Sequence, residues 1–292
     1  MEDELLLSIY HRLFPSASAK PRGHFQHSDA MVALVHLYAV LRGRSDLWAS
    51  DKKNWPLWAR RLKFPSYSQL MRRIPTPQVT QLIEQLNREL RGNLPDSRGK
   101  LCDGKPLVVG GFSKDPDARR GKVPAGFAKG YKLHVIFDEQ SAAIDAFEVT
   151  ALDGGEPTAA CRLVATLDLR GAVVRGDSNY DSNLLFAAVA NAGGRLIAPR
   201  KKPHTSLGHH PQHPDRVRSI RHLELGDLVL EDHERHRIRI EQGLAHLTNL
   251  PFALAPLPNF VRRLHRVRRW IAAKVLLYHA YLNLRREKAA AA

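Results

Sequence analysis

The sequence predicts a mixed α/β domain preceded by an all-helical domain. Two changes of pattern along the 292 residues support this division. Apolar residues recur at helical spacing up to about residue 95, whereas short β-branched runs begin after that point. These runs first follow one another and then alternate with helical segments, an order typical of a sheet flanked by helices. We therefore expect a helical domain over residues 1–95 and an α/β domain with a C-terminal helix over residues 96–292.

The helical domain contains two segments with clear helical periodicity, at residues 31–41 and 79–90. Between them, Ser66 and Gln69 have the spacing of a capping box, which predicts a helix that starts at Ser66. A short helix, a proline-containing turn and a helix with Arg72 and Arg73 resemble a helix-turn-helix. Two packed helices with a solvated arginine pair account for this pattern equally well.

The α/β domain begins after a turn-rich linker at residues 92–100. Residues 199–234 are polar and rich in histidine, and they predict a loop with short pieces of structure. Asp181 is predicted to cap the helix that follows it. The remaining predicted elements are strands near 107–109, 131–137, 144–150, 171–177 and 195–198, and helices near 156–167, 181–191, 235–247 and 261–286.

The composition favours a nucleic-acid partner. Lys and Arg number 45 against 29 Asp and Glu, which gives a net charge of +16 and an isoelectric point near 10.2. A chain this basic is attracted to polyanions. The two cysteines do not form a disulfide framework, no apolar run approaches the ~20 residues of a membrane span, and the acidic start lacks the charge of a signal peptide. We expect a cytoplasmic protein without membrane contact.

Three carboxylates are placed where they can form a metal site. Asp103 lies in the first strand region, Asp177 ends a later strand, and Glu241 lies on the predicted helix near residues 235–247. Acidic side chains that converge in one crevice repel one another unless cations neutralise them, and oxygen ligands suit Mg²⁺ or Mn²⁺. Two such ions can activate an attacking oxygen and stabilise a leaving oxygen in phosphodiester chemistry. Each acid taken alone would be interpreted as a surface charge or a helix cap.

The motifs around these acids resemble those of DDE-type insertion-sequence transposases. The resemblance covers roughly residues 100–286. Its motifs are Asp103-Gly-Lys-Pro-Leu107, the segment from Phe112 to His134, Gly176-Asp-Ser-Asn-Tyr-Asp-Ser182 and Arg237-x-x-x-Glu241.

This resemblance implies an RNase H-like catalytic domain in which Asp103, Asp177 and Glu241 bind two Mg²⁺ or Mn²⁺ ions. Arg237 would support Glu241 or bind a phosphate. The family's reaction is hydrolysis of a DNA strand at the element's end, followed by attack of the freed 3′-hydroxyl on target DNA. The chain departs from the family at Glu234, where a tyrosine is common, and at Thr248, where a lysine is common. Glu234 and Glu224 are the alternatives to Glu241.

Basic residues near the predicted acids are candidates for phosphate contacts, which give affinity without sequence selectivity. The run from Lys114 to Lys122 is predicted to be a mobile loop. The resemblance implies double-stranded DNA as partner, both element ends and target, bound by a homodimer. Five further arginines crowd the start of the C-terminal helix between residues 262 and 269. The DNA-binding candidates are Lys129, Lys132, Arg119, Arg120, Arg200, Lys201, Lys202, Arg237, Arg72 and Arg73.

Two other functions remain open at this point. A non-catalytic DNA-binding relic of a transposase would have the same basic composition, and it is disfavoured because all three acids are present. A metal-dependent nuclease without strand transfer would share the chemistry up to the attack of the 3′-hydroxyl.

Overall fold

The computed structural model describes residues 1–15, 26–203, 205–207, 209–224, 227–249 and 257–291. They form two compact units. The helical unit comprises Met1–Leu94 with Leu247–Ala292, and the sheet unit comprises Pro95–His246.

The elements of the described residues are numbered in chain order. The helices are α1 Glu2–Leu13, α2 Asp29–Leu41, α3 Asp46–Ala49, α4 Tyr67–Arg73, α5 Pro77–Gly92, α6 Glu156–Val164, α7 Asn183–Asn191, α8 Pro214–Leu223, α9 Asp227–Asn249 and α10 Leu264–Ala291. The strands are β1 Gly99–Val108, β2 Arg119–Val123, β3 Gly126–Asp138, β4 Ile144–Ala151, β5 Val173–Arg175 and β6 Arg195–Ile197.

Helix α2 is the centre of the helical unit, and all its residues from 30 to 41 are buried. It is apolar on every side because other helices of the unit surround it. The ring of Trp55, which is 1% exposed, packs against Tyr38 with 4.0 Å between ring centroids. Of the helices that the structure describes, none combines the length and the apolar character needed to cross a membrane.

The C-terminal helix α10 belongs to the helical unit, whereas the sequence analysis assigned it to the α/β domain. Its apolar residues pack against α1, α2 and α5. Polar contacts fix the register with α5, since His279 Nδ1 lies 2.8 Å from Asn87 Oδ1 and Asn283 donates to the Leu90 carbonyl at 2.8 Å. These partners are almost 200 residues apart in the sequence, so local patterns do not reveal the pairing.

Lys274 of α10 is buried in this unit and is 2% exposed. Burial lowers its pKa to about 7, although Glu2 opposes this shift, and its Nζ lies 5.6 Å from the centroid of the Trp270 ring. In the unfolded chain a lysine keeps its proton up to about pH 10. The unfolded state therefore binds more protons between these two values, and stability should rise with pH through that interval.

Replacing Lys274 with methionine should stabilise the protein at pH 6 by about 2–3 kcal/mol, because the variant no longer buries a charge. The gain should shrink as the pH rises from 7 to 10. Urea unfolding at pH 6, 8 and 10 measures both effects. Lys288→Met is the control, since Lys288 is 58% exposed on the same helix and its loss should change stability by less than about 0.5 kcal/mol. Equal stability of Lys274→Met and wild type at pH 6 would contradict the prediction.

The sheet unit contains one mixed sheet with the strand order β4-β3-β1-β5-β6. Strand β1 pairs antiparallel with β3 and parallel with β5, which pairs parallel with β6. This order and these directions are those of the RNase H-like fold, as the resemblance implied. Strand β2 pairs with the first part of β3 and β4 with the second.

Different helices cover the two faces of the sheet. Cys102, Ile136 and Val174 lie in the core under α6 and α7. Leu101 and Phe137 lie on the other face, since side chains alternate along a strand. Helix α9 packs on this second face, where an added Cβ on its Gly243 would lie 3.6 Å from the Phe137 ring.

Two expectations about local structure are wrong, and a third is confirmed only in part. Residues 119–123 form β2 and not a mobile loop, because they pair with Gly126–Gly130 of β3. Residues 199–234 contain one short helix, α8, which buries Ile220 and Leu223 beside β6, and they also contain the start of α9. The cap of α7 is Ser182 and not Asp181, which binds other partners.

Candidate active site

Asp103 and Asp177 lie at the same level of two neighbouring parallel strands. Leu101 of β1 is paired with Arg175 of β5, and each aspartate follows two residues later. Since residues two apart share a face of a strand, the side chain of Asp103 lies on the Leu101 face. Asp103 also accepts a hydrogen bond from the Gly104 backbone N–H at 2.7 Å. The fold thus brings together two acids that are 74 positions apart in the sequence.

The side chains behind these acids are buried and uncharged. Burial raises the pKa of the Cys102 thiol, and the nearby charges of Asp103, Glu156 and Asp177 raise it further. Burial likewise raises the pKa of Tyr180, whose hydroxyl faces Cys102. The Cys102 thiol and the Tyr180 hydroxyl stay protonated, so the buried side chains behind Asp103 and Asp177 carry no charge.

Local backbone contacts hold Asp177 in place. It caps the 3₁₀ turn Ser178–Tyr180 and accepts hydrogen bonds from the backbone N–H of Asn179 at 2.8 Å and from its side chain at 3.2 Å. The Tyr180 ring packs on Gly176, where an added Cβ would lie 2.8 Å from the ring. Glycine is therefore required before Asp177 for this packing.

Asp181, the last acid of the same motif, has a structural role. Its carboxylate is fully buried and binds Arg216 of α8 with two hydrogen bonds of 2.6 and 2.7 Å. It also accepts from the backbone N–H of Lys201 at 3.0 Å. These contacts connect the segment after β5 to α8 and to the segment after β6.

Glu241 lies on α9, on the same face of the sheet as Asp103. His236 binds Glu139, and Arg239 Nη1 lies 3.7 Å from a Glu139 carboxylate oxygen, so α9 is anchored at the end of β3. The Glu241 side chain is exposed and has no hydrogen bond or ion pair within the described part of the chain. The Arg237 side chain lies outside the described residues.

The alternatives to Glu241 are also exposed. Glu224 follows α8 and lies 3.9 Å from Arg200, with 60% of its side chain accessible. Glu234 is exposed on α9. The choice of the third acid remains a prediction.

Glu156 is a further acid beside β1, outside the set of acids predicted from the sequence. It begins α6 beside Gly104, where an added Cβ would lie 3.0 Å from its carboxylate, and it forms a 2.9 Å ion pair with Lys132 of β3. It lies with α6 on the Cys102 face, opposite to the face of Asp103. The available sequence signal was an acidic first helical position, which is typical of any helix start.

A second acidic cluster in the sheet unit surrounds the ammonium group of a buried lysine. The carboxylates of Asp96, Asp138 and Asp145 are the one group of three potential metal ligands within 4.8 Å of one another among the described residues. The Lys100 ammonium lies 2.6, 3.2 and 2.9 Å from these carboxylates, respectively. Because an ammonium ion occupies the centre of the cluster, we interpret it as a structural ion-pair network and not as a metal site.

The predicted DNA-contacting residues divide into bound and exposed side chains. Arg73 is 7% exposed, donates to the His27 carbonyl and lies 2.7 Å from Asp29. Its charge is therefore paired with Asp29 inside the helical unit. Lys129 donates to the Ser113 carbonyl at 2.8 Å, and Lys132 binds Glu156. Arg200 is partly buried near Glu224. The exposed candidates are Arg72, Arg119, Arg120, Lys201 and Lys202.

Comparisons with known proteins identify the family of the chain. The family model described as the transposase DDE domain matches residues 95–279. Among solved structures, the chain is similar to a piggyBac transposase in a synaptic complex with hairpin DNA, with a TM-score of 0.37 and 13% identity. This similarity covers 72% of the chain and 52% of the piggyBac protein, so the chain spans about half the length of that protein. No curated protein matches the sequence.

Proposed function

Because the chain belongs to the family of transposases with a DDE domain, we propose that it cuts DNA at the ends of an insertion sequence and joins the freed ends to target DNA. The observation that carries this proposal is the position of Asp103 and Asp177 at one level of two adjacent parallel strands. Glu241 supplies the third carboxylate from α9, and Arg237 supports Glu241 or binds a phosphate.

The donor set fits divalent cations. Asp103 and Asp177 offer hard oxygen ligands, and the buried Cys102 thiol behind them is uncharged. Lys132 is bound to Glu156. Two Mg²⁺ or Mn²⁺ ions held by Asp103, Asp177 and Glu241 would activate the attacking oxygen and stabilise the leaving oxygen. The hydrogen bonds from Asn179 hold the Asp177 carboxylate in one orientation, so little ordering is required when a cation binds.

The partners in this proposal are the double-stranded ends of the element and the target DNA. The exposed cations Arg119, Arg120, Lys201 and Lys202 contact phosphates of that DNA. A homodimer holds the two ends, and the reaction takes place in the cytoplasm at the bacterial nucleoid.

Strand cleavage should depend on Mg²⁺ or Mn²⁺. We expect the purified chain to nick labelled DNA that carries the element's ends, and to join the product to a target plasmid, when Mg²⁺ is present. Addition of EDTA should abolish both reactions and leave DNA binding measurable by gel shift. Ca²⁺ should support binding without cleavage.

The same assay separates the three candidate functions. Cleavage with joining supports the transposase. The flanking repeats are sequenced first, so that the labelled DNA carries the correct element ends. Cleavage of this DNA without joining would favour the nuclease. Binding without cleavage in either metal would favour the non-catalytic DNA-binding protein.

A further inference from the structure

The helical unit contains a cavity of about 510 Å³ that the proposed reaction does not use. Residues of α2, α4, the start of α10 and the segment before α10 line it, and the described lining belongs entirely to the helical unit. Binding sites for small molecules have volumes of roughly 300–1,000 Å³. The cavity therefore has room for a ligand the size of one nucleotide.

Among the described residues, two buried polar groups of the lining lack a hydrogen-bond partner. Trp270 is 4% exposed, and its indole N–H makes no hydrogen bond with the described residues. His36 is 5% exposed; its Nδ1 lies 2.8 Å from the Asp46 carboxylate, and its Nε2 has no hydrogen-bond partner in the part of the chain that the structure describes. Unsatisfied buried polar groups are costly, so both groups indicate an occupant of the cavity that supplies hydrogen bonds.

The cavity is also rich in uncompensated positive charge. Arg266 and Arg269, one turn apart on α10, line it, and neither has an ion-pair partner among the described residues. Burial and the neighbouring Arg266 lower the pKa of Arg269, and Asp46 only partly opposes this shift. Asp46, the acid of the described lining, is already hydrogen-bonded to His36. An anion between the two guanidinium groups would relieve their repulsion.

Aromatic rings complete the lining. Tyr67 and Phe260 are 41% and 43% exposed. Phe260 meets Trp270 edge-on, with 5.6 Å between ring centroids. Exposed aromatic rings beside arginines are typical of sites that bind unpaired bases, because each base can stack on a ring while its phosphate pairs with a cation.

We propose that this cavity binds one unstacked nucleotide of the DNA substrate. Its phosphate lies on Arg266 and Arg269, and its base lies among Trp270, Phe260 and Tyr67. The edge of a base such as thymine carries both hydrogen-bond donors and acceptors, which the Trp270 indole and the His36 ring require. The identity of the ligand as substrate DNA rests on the proposed function, whereas the affinity for a nucleotide does not.

Titration of the full chain with dTMP in the absence of metal tests this site. We expect saturable binding by calorimetry together with quenching of tryptophan fluorescence. Thymidine, which lacks the phosphate, should bind about tenfold more weakly or worse. Inorganic phosphate should compete poorly. Phosphate that binds as tightly as dTMP, or dTMP binding that does not saturate, would overturn the proposal.

Variants locate the binding. Arg269→Gln should weaken dTMP binding about tenfold or more, and Trp270→Phe, which keeps a ring but removes the N–H, about fivefold. Arg268→Gln is the matched control, because Arg268 lies on the same turn of α10 but not in the lining, and it should bind dTMP like wild type. Circular dichroism verifies that each variant is folded. Equal affinity of Arg269→Gln and Arg268→Gln would place the nucleotide elsewhere and overturn the proposal.

The two proposals fail in different ways. If dTMP does not bind but Mg²⁺-dependent DNA cleavage proceeds, this cavity is not a nucleotide site and the proposed function stands. If dTMP binds as described but no DNA is cleaved, the nucleotide site stands and the proposed reaction does not.

Discussion

Replacing Asp177 with asparagine should abolish strand cleavage and joining and leave the protein folded. Asparagine keeps the size of the side chain and one oxygen for the Asn179 hydrogen bonds, but it removes the negative charge that divalent cations require. We expect the cleavage rate to fall by about 10³-fold or more, equivalent to about 4 kcal/mol of transition-state stabilisation. Single-turnover cleavage of labelled element ends in Mg²⁺ measures the change.

Two comparisons make this result specific. Asp168→Asn changes an aspartate that is 59% exposed and paired only with Arg170 in the described chain, and it should cleave like wild type. The melting temperature of Asp177→Asn should stay close to that of wild type, because the buried contacts of Tyr180 and Asp181 remain. Substantial cleavage by a folded Asp177→Asn protein would remove Asp177 from the site.

Replacing Lys100 with methionine should destabilise the sheet unit by about 3–5 kcal/mol, because it leaves buried carboxylates without their cation. Asp138 is fully buried, and Asp145 is 7% exposed. Burial by itself raises the pKa of Asp138, but hydrogen bonds from Ser141 and Ser97 outweigh it and hold that pKa below its usual range. Asp138 therefore stays charged when Lys100 is removed, and urea unfolding at pH 7 measures the cost.

Lys105→Met is the matched control for this prediction. Lys105 lies on the same strand and is partly buried, and burial lowers its pKa, so the loss of its charge removes a cost. We expect its stability to stay within about 1 kcal/mol of wild type. If Lys100→Met unfolds at the same urea concentration as wild type, the acidic cluster does not depend on the ammonium ion and its interpretation as an ion-pair network is wrong.

Local patterns predicted the features of both units that depend on neighbouring residues. The strand that ends before Asp177 and the helix that starts near Glu156 follow from short apolar runs and a charged helix start. The capping box at Ser66 and Gln69 is confirmed, with both of its hydrogen bonds present. The RNase H-like topology was predicted through motifs, since periodicity alone does not order strands within a sheet.

Features that depend on distant pairs were not predicted. The ion pair of Glu156 with Lys132 forms because β3 and α6 meet beside Gly104, and no local signal marks that contact. The burial of Arg73 depends on Asp29, 44 positions away. The packing of α10 on α1, α2 and α5 has the same cause, since those helices lie at the other end of the chain.

Within the motif around Asp177, different residues stabilise the fold and bind the proposed metal ions. This separation has a consequence for inheritance. Tyr180 and Asp181 hold the fold together, whereas Asp177 is positioned at the surface of the crevice by its own turn. If the chain acts on element ends as proposed, a gene copy in which only codon 177 has changed should still yield a folded protein that binds those ends. The inactive protein would compete with the active protein for the ends, so copies that lose Asp177 would reduce the rate at which the element spreads.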